Sequence, residues 1–474
     1  MPPTQVKGQV KTRFAPSPTG HIHMGNTRVA LFSALYARHR RGLFLLRIED
    51  TDLERSAARY IEALKEDLRW LGLAWQEGPE AGGPHGPYRQ SERLDIYERY
   101  FNELRERDLA YPCFCSAQEL ALSRKAQLAG GRPPRYAGTC ARLSEAEIQS
   151  RLEQGLRPTL RFRIPAGTAV EFEDLVRGPQ RFSSGDIGDF IIRRADGTPA
   201  FFFSNAVDDA LMGVTHVLRG EDHLSNTPRQ MLLLQSLHLD VPRYAHLSMI
   251  VGPDGAPLSK RHGSRSVCEL RESGYLPEAV NNYLARLGHH YESNELLSPE
   301  QLAAGFDLGH LGRSPVRFDN AQLQHWQQLA LARADSDELW AWMGCKVHEK
   351  VPQAQRVAFV NAVRHNVTLP GHALLWAHIL FDDHLELSQT AREAIAQAGR
   401  EFFQQAAAAH EKHPDDFKAL ANEIKARTGK SGKALYQPLR AAVTGELDGP
   451  EMAHLLSLLG VRRVAQRLLA AAHY

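Results

Sequence analysis

Cysteine is scarce. Five in 474 residues cannot form a disulfide scaffold for a chain this long, and the usage fits a reducing compartment. Long apolar runs are missing too: no stretch approaches the roughly 18 residues of a membrane-spanning helix, so no membrane partner is expected. Met1 to Val10 is polar, without the apolar stretch of a secretory signal, and a cytoplasmic location is expected. Net charge is almost absent, +2 from 57 Lys/Arg and 55 Asp/Glu. That excludes a uniformly basic nucleic-acid coat, though not a basic face balanced by an acidic one. Internal repeats and low-complexity segments are lacking. What remains is 43% hydrophobic and 24% charged, ordinary for a globular chain, and the length suggests about three domains.

One stretch organises the rest. Arg13 to Asp52 reads Arg-Phe-Ala-Pro-Ser-Pro-Thr-Gly-His-Ile-His-Met-Gly, a helical pattern, then Phe-Leu-Leu-Arg-Ile-Glu-Asp-Thr-Asp. Pro16 and Pro18 stiffen an extended passage. Gly20 and Gly25 flank His21 and His23, where backbone can approach a ligand just before a helix. The helix carries Ala30, Leu31, Ala34 and Leu35 on overlapping apolar rows. It is expected to stop at His39-Arg40-Arg41 with Gly42 as the C′ glycine. Leu43 to Ile48 is a short apolar run suited to a buried parallel strand. Strand, turn, helix and strand make a βαβ unit whose first turn aims a helix N-terminus at its ligand, an arrangement that favours phosphate. A second polar, basic loop, Pro257-Leu258-Ser259-Lys260-Arg261-His262-Gly263, follows the Gly252 to Gly255 turn, and a lysine there can reach a polyphosphate as a mobile point charge.

The two loops resemble the hallmark HIGH and KMSKS motifs of class I aminoacyl-tRNA synthetases. Ala-Pro-Ser-Pro-Thr-Gly, Arg-Ile-Glu-Asp-Thr-Asp, Val-Leu-Arg-Gly-Glu-Asp and Leu-Ser-Lys-Arg-His-Gly, in that order, resemble the bacterial glutamyl-tRNA synthetase family over essentially the whole chain. The resemblance implies an α/β fold: a Rossmann-like parallel-sheet catalytic domain, an α+β connective insertion and an all-α C-terminal anticodon-binding region. The expected divisions are 1–110 and 201–255 for the halves of the catalytic domain and 111–200 for the insertion at the tRNA acceptor end. Residues 256–335 are a stem-contact region opening with the KMSKS-like loop, and 336–474 the helical anticodon-binding region. No strand alternation is visible after about Ala334. Lys425, Arg427, Lys430, Lys433 and Arg440 form a basic run suited to RNA or to a solvated face.

By the same resemblance the chain is a monomeric ligase joining L-glutamate to tRNA(Glu) through a glutamyl-adenylate, with ATP and Mg2+ as co-substrate; some members of the family also charge tRNA(Gln). The attacking carboxylate arrives with the substrate, so positioning and charge stabilisation carry the chemistry and no Ser or Cys nucleophile is needed. His23 and Lys260 are the implied catalytic residues. Gly25, Asn26, Ser259 and Arg261 join them around ATP, with Asn26 where the family motif ends in His and Pro257 where it begins with Lys. Glutamate needs a cation for its side chain and an anion for its ammonium. Arg13 and Arg219 are the cationic candidates, Glu49 the anionic one, and Ala15, Ser17 and Asn205 line the same pocket. Phe201 stands where a Tyr is usual, which removes one hydroxyl.

Cys113-x-Cys115 followed by Cys140 resembles the zinc site of the family's insertion. The usual His position is Arg142, which cannot ligate, so Tyr136 is the remaining fourth candidate, as in a short paralogue family that glutamylates a modified tRNA base. Zn2+, if bound, is expected to be structural. That paralogue lacks the helical tail, glutaminyl-tRNA synthetase carries β-barrels in its place, and a silent RNA-binding relative is expected to lose His23 or Lys260.

Overall fold

The computed structural model describes residues 8–52, 56–131, 134–165, 167–258 and 265–474; Ser259, Lys260 and Arg261 lie outside these. The chain divides into two compact units, Met1–Leu270 with Val280–Asn320, and Arg271–Ala279 with Ala321–Tyr474.

In the first unit, β1 (Lys11–Phe14) and β2 (Leu43–Leu46) pair in parallel with Arg13 opposite Leu45. Between them runs α1 (Met24–His39), which buries Ala30, Leu31 and Leu35. Its end differs from expectation. Arg41 takes the left-handed conformation (φ 51°), not Gly42. Gly42 is needed for a different reason, because a Cβ there would overlap the Val10 carbonyl. The strand ladder also stops at Leu46; Ile48 makes only a single parallel bridge, to Arg89.

The insertion follows. β3 (Ala110–Cys113) and β4 (Thr159–Phe162) are antiparallel, β5 (Ala169–Asp174) and β6 (Gly178–Ser183) form a hairpin, and β7 (Phe190–Arg193) pairs with β4. The Asp196-Gly197 turn closes with Arg194 N–H on the Thr198 carbonyl. The chain then returns through α2 (Phe201–Leu211), β8 (His216–Gly220), α3 (Thr227–Ser236) and β9 (Arg243–Leu247). β8 and β9 are parallel. β8 lies beside β1, since Thr215 N–H donates to the Lys11 carbonyl at 2.9 Å. The order β2-β1-β8-β9 puts the junction of the two halves at β1/β8, and ligands of such sheets bind in the crevice at that reversal. The buried face around Phe101, Phe203, Leu45, Val217 and Leu233 supports it, with the Phe101 and Phe203 rings stacked at 4.3 Å.

The second unit is helical from the helix at Ser336–Met343 to that at Val461–Ala471, around Trp340, Phe359, Trp376, Phe403 and Leu455. It contains no strand among the described residues. Lys425, Lys430 and Lys433 stand in solvent, Arg427 pairs with Glu423 at 2.9 Å, and Arg440 donates to the Pro450 carbonyl.

Two histidines of the first unit titrate against folding. Burial pushes His216 and His289 down to about 4, so each takes up its proton more readily unfolded. Their share of stability is intact above the ordinary histidine value near 6.5 and is lost as pH falls from there to about 4. The first thermal transition is therefore expected several degrees lower at pH 5 than at pH 7.5. Equal midpoints would rule this out.

Candidate active site

Every sequence-expected pocket residue that is described lies in the first unit. After β1 the Ala15–Pro18 strip runs extended, fixed by Arg47 N–H on the Phe14 carbonyl and Glu49 N–H on the Pro16 carbonyl, both at 3.0 Å. That pairing sets Ala15 and Ser17 beside Glu49. His23 occupies the N-cap of α1 without a side-chain capping bond, and it and Asn26 are exposed. A Cβ on Gly25 would meet nothing within 4 Å, so the space over this N-terminus is open. The first turn has no acidic residue and its leading amides have no acceptor within the helix, a setting for an anion. Only the flanks of the basic loop are described. Leu258 N–H bonds the Ile250 carbonyl on one side, and Val267 N–H bonds the Ile22 carbonyl on the other. Ser266, bridged to His23, caps the helix Val267–Glu272.

The two arginine candidates are not equivalent. Arg13 donates through Nε to both Asp209 oxygens at 3.2 and 3.3 Å and through Nη1 to the Leu218 carbonyl. Its charge is already matched. Asp209 also takes Arg47 at 2.7 Å, and Arg47, fully buried, reaches Glu49 at 2.9 Å. Burial works to raise the Asp209 carboxyl, but Arg13 and Arg47 outweigh it and hold it below the usual carboxylate range. Burial wins at Glu49, whose carboxyl sits above its ordinary range against the pull of Arg47 and Asn205.

Arg219 is 5% exposed and has no carboxylate within ion-pair distance among the described residues. It donates to neutral acceptors: Nε to His246 Nε2 at 3.1 Å, Nη1 to Gln230 Oε1 at 2.7 Å, Nη2 to Thr227 Oγ1 at 2.8 Å and the His223 carbonyl at 3.4 Å. Burial pulls its guanidinium down to about 10, still a cation near neutrality. A polar chain links it to the anionic side: Gln230 Nε2 donates to Asn205 Oδ1 at 2.9 Å, and Asn205 Nδ2 to Glu49 Oε1 at 2.6 Å. The site thus holds an unmatched cation at one end and a carboxylate at the other, as an amino acid with an acidic side chain requires.

Phe201 opens α2 half-buried, its ring centroid 5.4 Å from that of His223. It lines one side of a cavity of about 700 Å³ that reaches Tyr136 and Arg161 in the insertion. Sequence reading missed Arg47, Asp209, Gln230, Thr227, His246 and Asp174. Arg47 stands two residues before Glu49, just past the end of β2. Asn226 holds the N-cap of α3, and the Thr227 hydroxyl is spent on Arg219.

In the insertion Cys113, Cys115 and Cys140 bring their sulfurs within 4.8 Å of one another. Tyr136 Oη lies 3.4 Å from Cys113 Sγ and 3.6 Å from Cys115 Sγ, and the Cys115 and Cys140 sulfurs are 3.6 Å apart. Tetrahedral zinc with bonds near 2.3 Å holds its sulfurs about 3.8 Å apart, so this donor set fits the ion with little movement. Although burial works to raise the Cys113 thiol, the Tyr136 and Arg161 contacts bring it down to about 7, toward the ligating thiolate. Arg142 is exposed and takes no part.

Comparison with known proteins shows the family to which the chain belongs. The family described as tRNA synthetases class I (E and Q), catalytic domain, matches residues 9–325, and an anticodon binding domain matches 349–472. The chain is 62% identical over 462 residues to glutamate–tRNA ligase 2 of Nitrosococcus oceani, covering 98% of each. It is 58% identical to glutamate–tRNA ligase 1 of Methylococcus capsulatus, over 97% of this chain and 98% of that one. Among solved structures, glutamate–tRNA synthetase from Elizabethkingia anophelis superposes with a TM-score of 0.84 at 29% identity, over 98% of this chain and all of the other.

Proposed function

The chain belongs to the class I tRNA synthetases for glutamate and glutamine, and we propose that it uses the crevice at β1/β8 to form glutamyl-adenylate before transfer to tRNA. It is a glutamate–tRNA ligase, charging tRNA(Glu) with glutamate. The observation that carries the pocket assignment is Arg219, a buried guanidinium without an acid of its own, joined through Gln230 and Asn205 to Glu49.

Glutamate enters with its side-chain carboxylate on Arg219 and its ammonium toward Glu49, beside Ala15 and Ser17. Arg13, neutralised by Asp209, shapes the pocket rather than supplying its free charge. The α-carboxylate attacks the α-phosphorus of ATP and the bond to pyrophosphate breaks. His23, Gly25, Asn26 and the amides of α1 hold the nucleotide. Lys260, with Ser259 and Arg261, neutralises the departing pyrophosphate, and Mg2+ arrives with ATP. A ribose hydroxyl at the tRNA terminus then takes the glutamyl group and AMP leaves. Residues 111–200 contact the acceptor end, 256–335 the stem and 336–474 the anticodon. Among the described residues no helix is long and apolar enough to cross a membrane; the site of action is the cytoplasm, the working form a monomer.

Zinc bound by Cys113, Cys115, Cys140 and Tyr136 would cross-link the insertion without taking part in the reaction. Metal analysis of purified protein is expected to find zinc near one per chain, and Cys140→Ser to lose most of it and to melt several degrees earlier. Zinc-free, equally stable wild type would dismiss the site.

Phe201 leaves the pocket without the hydroxyl that the family resemblance implies at this position. Phe201→Tyr is expected to lower the Michaelis constant for glutamate by roughly threefold to tenfold, the worth of one hydrogen bond. An unchanged constant refutes that.

The test of the whole reading is glutamate charging of separately purified tRNA(Glu) and tRNA(Gln). Charging of tRNA(Glu) alone makes the enzyme discriminating. Charging of tRNA(Gln) as well means a product destined for amidation. Failure with both would overturn the reading.

A further inference from the structure

Arg219 is held in place by residues that touch no substrate. His246, fully buried, lies behind it on β9, and its Nε2 accepts from Arg219 Nε at 3.1 Å and sits 3.1 Å from Thr227 Oγ1. A ring nitrogen can accept from a guanidinium only if it carries no proton, so the imidazole proton must sit on Nδ1. Nδ1 faces Asp174 Oδ2 at 2.6 Å, and Asp174 has no solvent access. The carboxylate is itself fixed: Oδ1 accepts the amides of Val176 at 3.0 Å, Arg177 at 2.8 Å and His246 at 3.3 Å. Asp174 ends β5, so it comes from the insertion rather than the nucleotide fold, and Leu175 N–H on the Tyr244 carbonyl ties that hairpin to β9. Tyr244 completes the cradle, with the Arg219 guanidinium 5.0 Å from its ring centroid.

We infer that Asp174 and His246 are positioning residues for the glutamate receptor. Asp174 fixes the His246 tautomer, and His246 fixes the plane of the Arg219 guanidinium through Nε, while Gln230, Thr227 and the His223 carbonyl take three of the four Nη hydrogens and leave one on Nη1 for the substrate carboxylate. This rests on Arg219 being that receptor. Without the Nε acceptor the guanidinium loses one of the bonds that hold its plane, and its pair with the substrate carboxylate loses alignment. With the wrong tautomer, an N–H would point at the cation and push it away.

The test is steady-state kinetics of the full-length enzyme with tRNA(Glu), varying glutamate and ATP separately. His246→Leu keeps much of the volume and removes the acceptor. It is expected to raise the glutamate Michaelis constant on the order of 10- to 100-fold, with kcat within threefold and the ATP constant unchanged. His246→Gln places an amide oxygen near the Nε2 position and is expected to restore most of the loss. Asp174→Asn is expected to fall between them. The inference is overturned if His246→Leu leaves the glutamate constant unchanged, or if glutamate and ATP constants rise together and His246→Gln does not rescue. Arg219→Met measured alongside separates the two levels. A large rise there with no effect at His246 removes only the positioning role, whereas no effect at Arg219 removes the receptor assignment itself.

Discussion

Arg219→Met is expected to raise the Michaelis constant for glutamate by roughly 100- to 1000-fold while leaving the melting temperature unchanged or higher. A buried, hydrogen-bonded charge pair loses about 2–5 kcal/mol when one partner is truncated, and 1.4 kcal/mol is tenfold. In the free protein, however, Arg219 carries a buried charge with no carboxylate within ion-pair distance among the described residues. Its partners there, Gln230, Thr227, His246 and the His223 carbonyl, are all uncharged. Burying that cation costs stability, and relief of that cost offsets the hydrogen bonds that its neutral partners lose in the variant. Stability and affinity should therefore move apart, as they do where a site is built for its substrate at the fold's expense. Parallel glutamate titrations and thermal melts check this. A collapse in melting temperature with an unchanged constant would make Arg219 a structural residue.

The opposite pattern is expected at Asp209→Asn. This carboxylate bridges two buried guanidiniums, Arg13 at 3.2 Å and Arg47 at 2.7 Å. At an effective dielectric near 20, each unit-charge contact at about 4 Å is worth about 4 kcal/mol. Desolvation of all three groups takes back much of that gain, which is why the intact network is not a large net stabiliser. Removing only the anion leaves both cations buried, and such losses run about 3–5 kcal/mol. That is a large share of a total stability of about 5–15 kcal/mol. Urea unfolding of the first unit should report the loss; a change below about 1 kcal/mol would contradict the network. Arg219 and Asp209 lie in one crevice, yet one should fail in binding and the other in folding.

Much of the fold was legible because its signals are local. The apolar rows of α1, the short run at Leu43 and the Asp196-Gly197 turn each state their structure within a few residues. The helical tail was equally plain, since periodicity persists and no alternation interrupts it. Errors fell at boundaries. Arg41 rather than Gly42 takes the left-handed region at the end of α1, and Gly42 instead leaves room for the Val10 carbonyl.

The sequence by itself determined the chemistry that depends on residue type at short spacing: a helix N-terminus behind His23 and Gly25, a basic loop around Lys260, and three thiols that can meet. It also placed Arg13 and Arg219 in one pocket. Only the tertiary structure decided between them, by bringing Asp209, some two hundred residues away along the chain, against Arg13 and leaving Arg219 with neutral partners. Asp174 and His246 likewise meet across 72 positions. The reason is physical. Whether a buried charge is spent or available depends on which groups share its low-dielectric surroundings, and those groups are chosen by packing rather than by order along the chain.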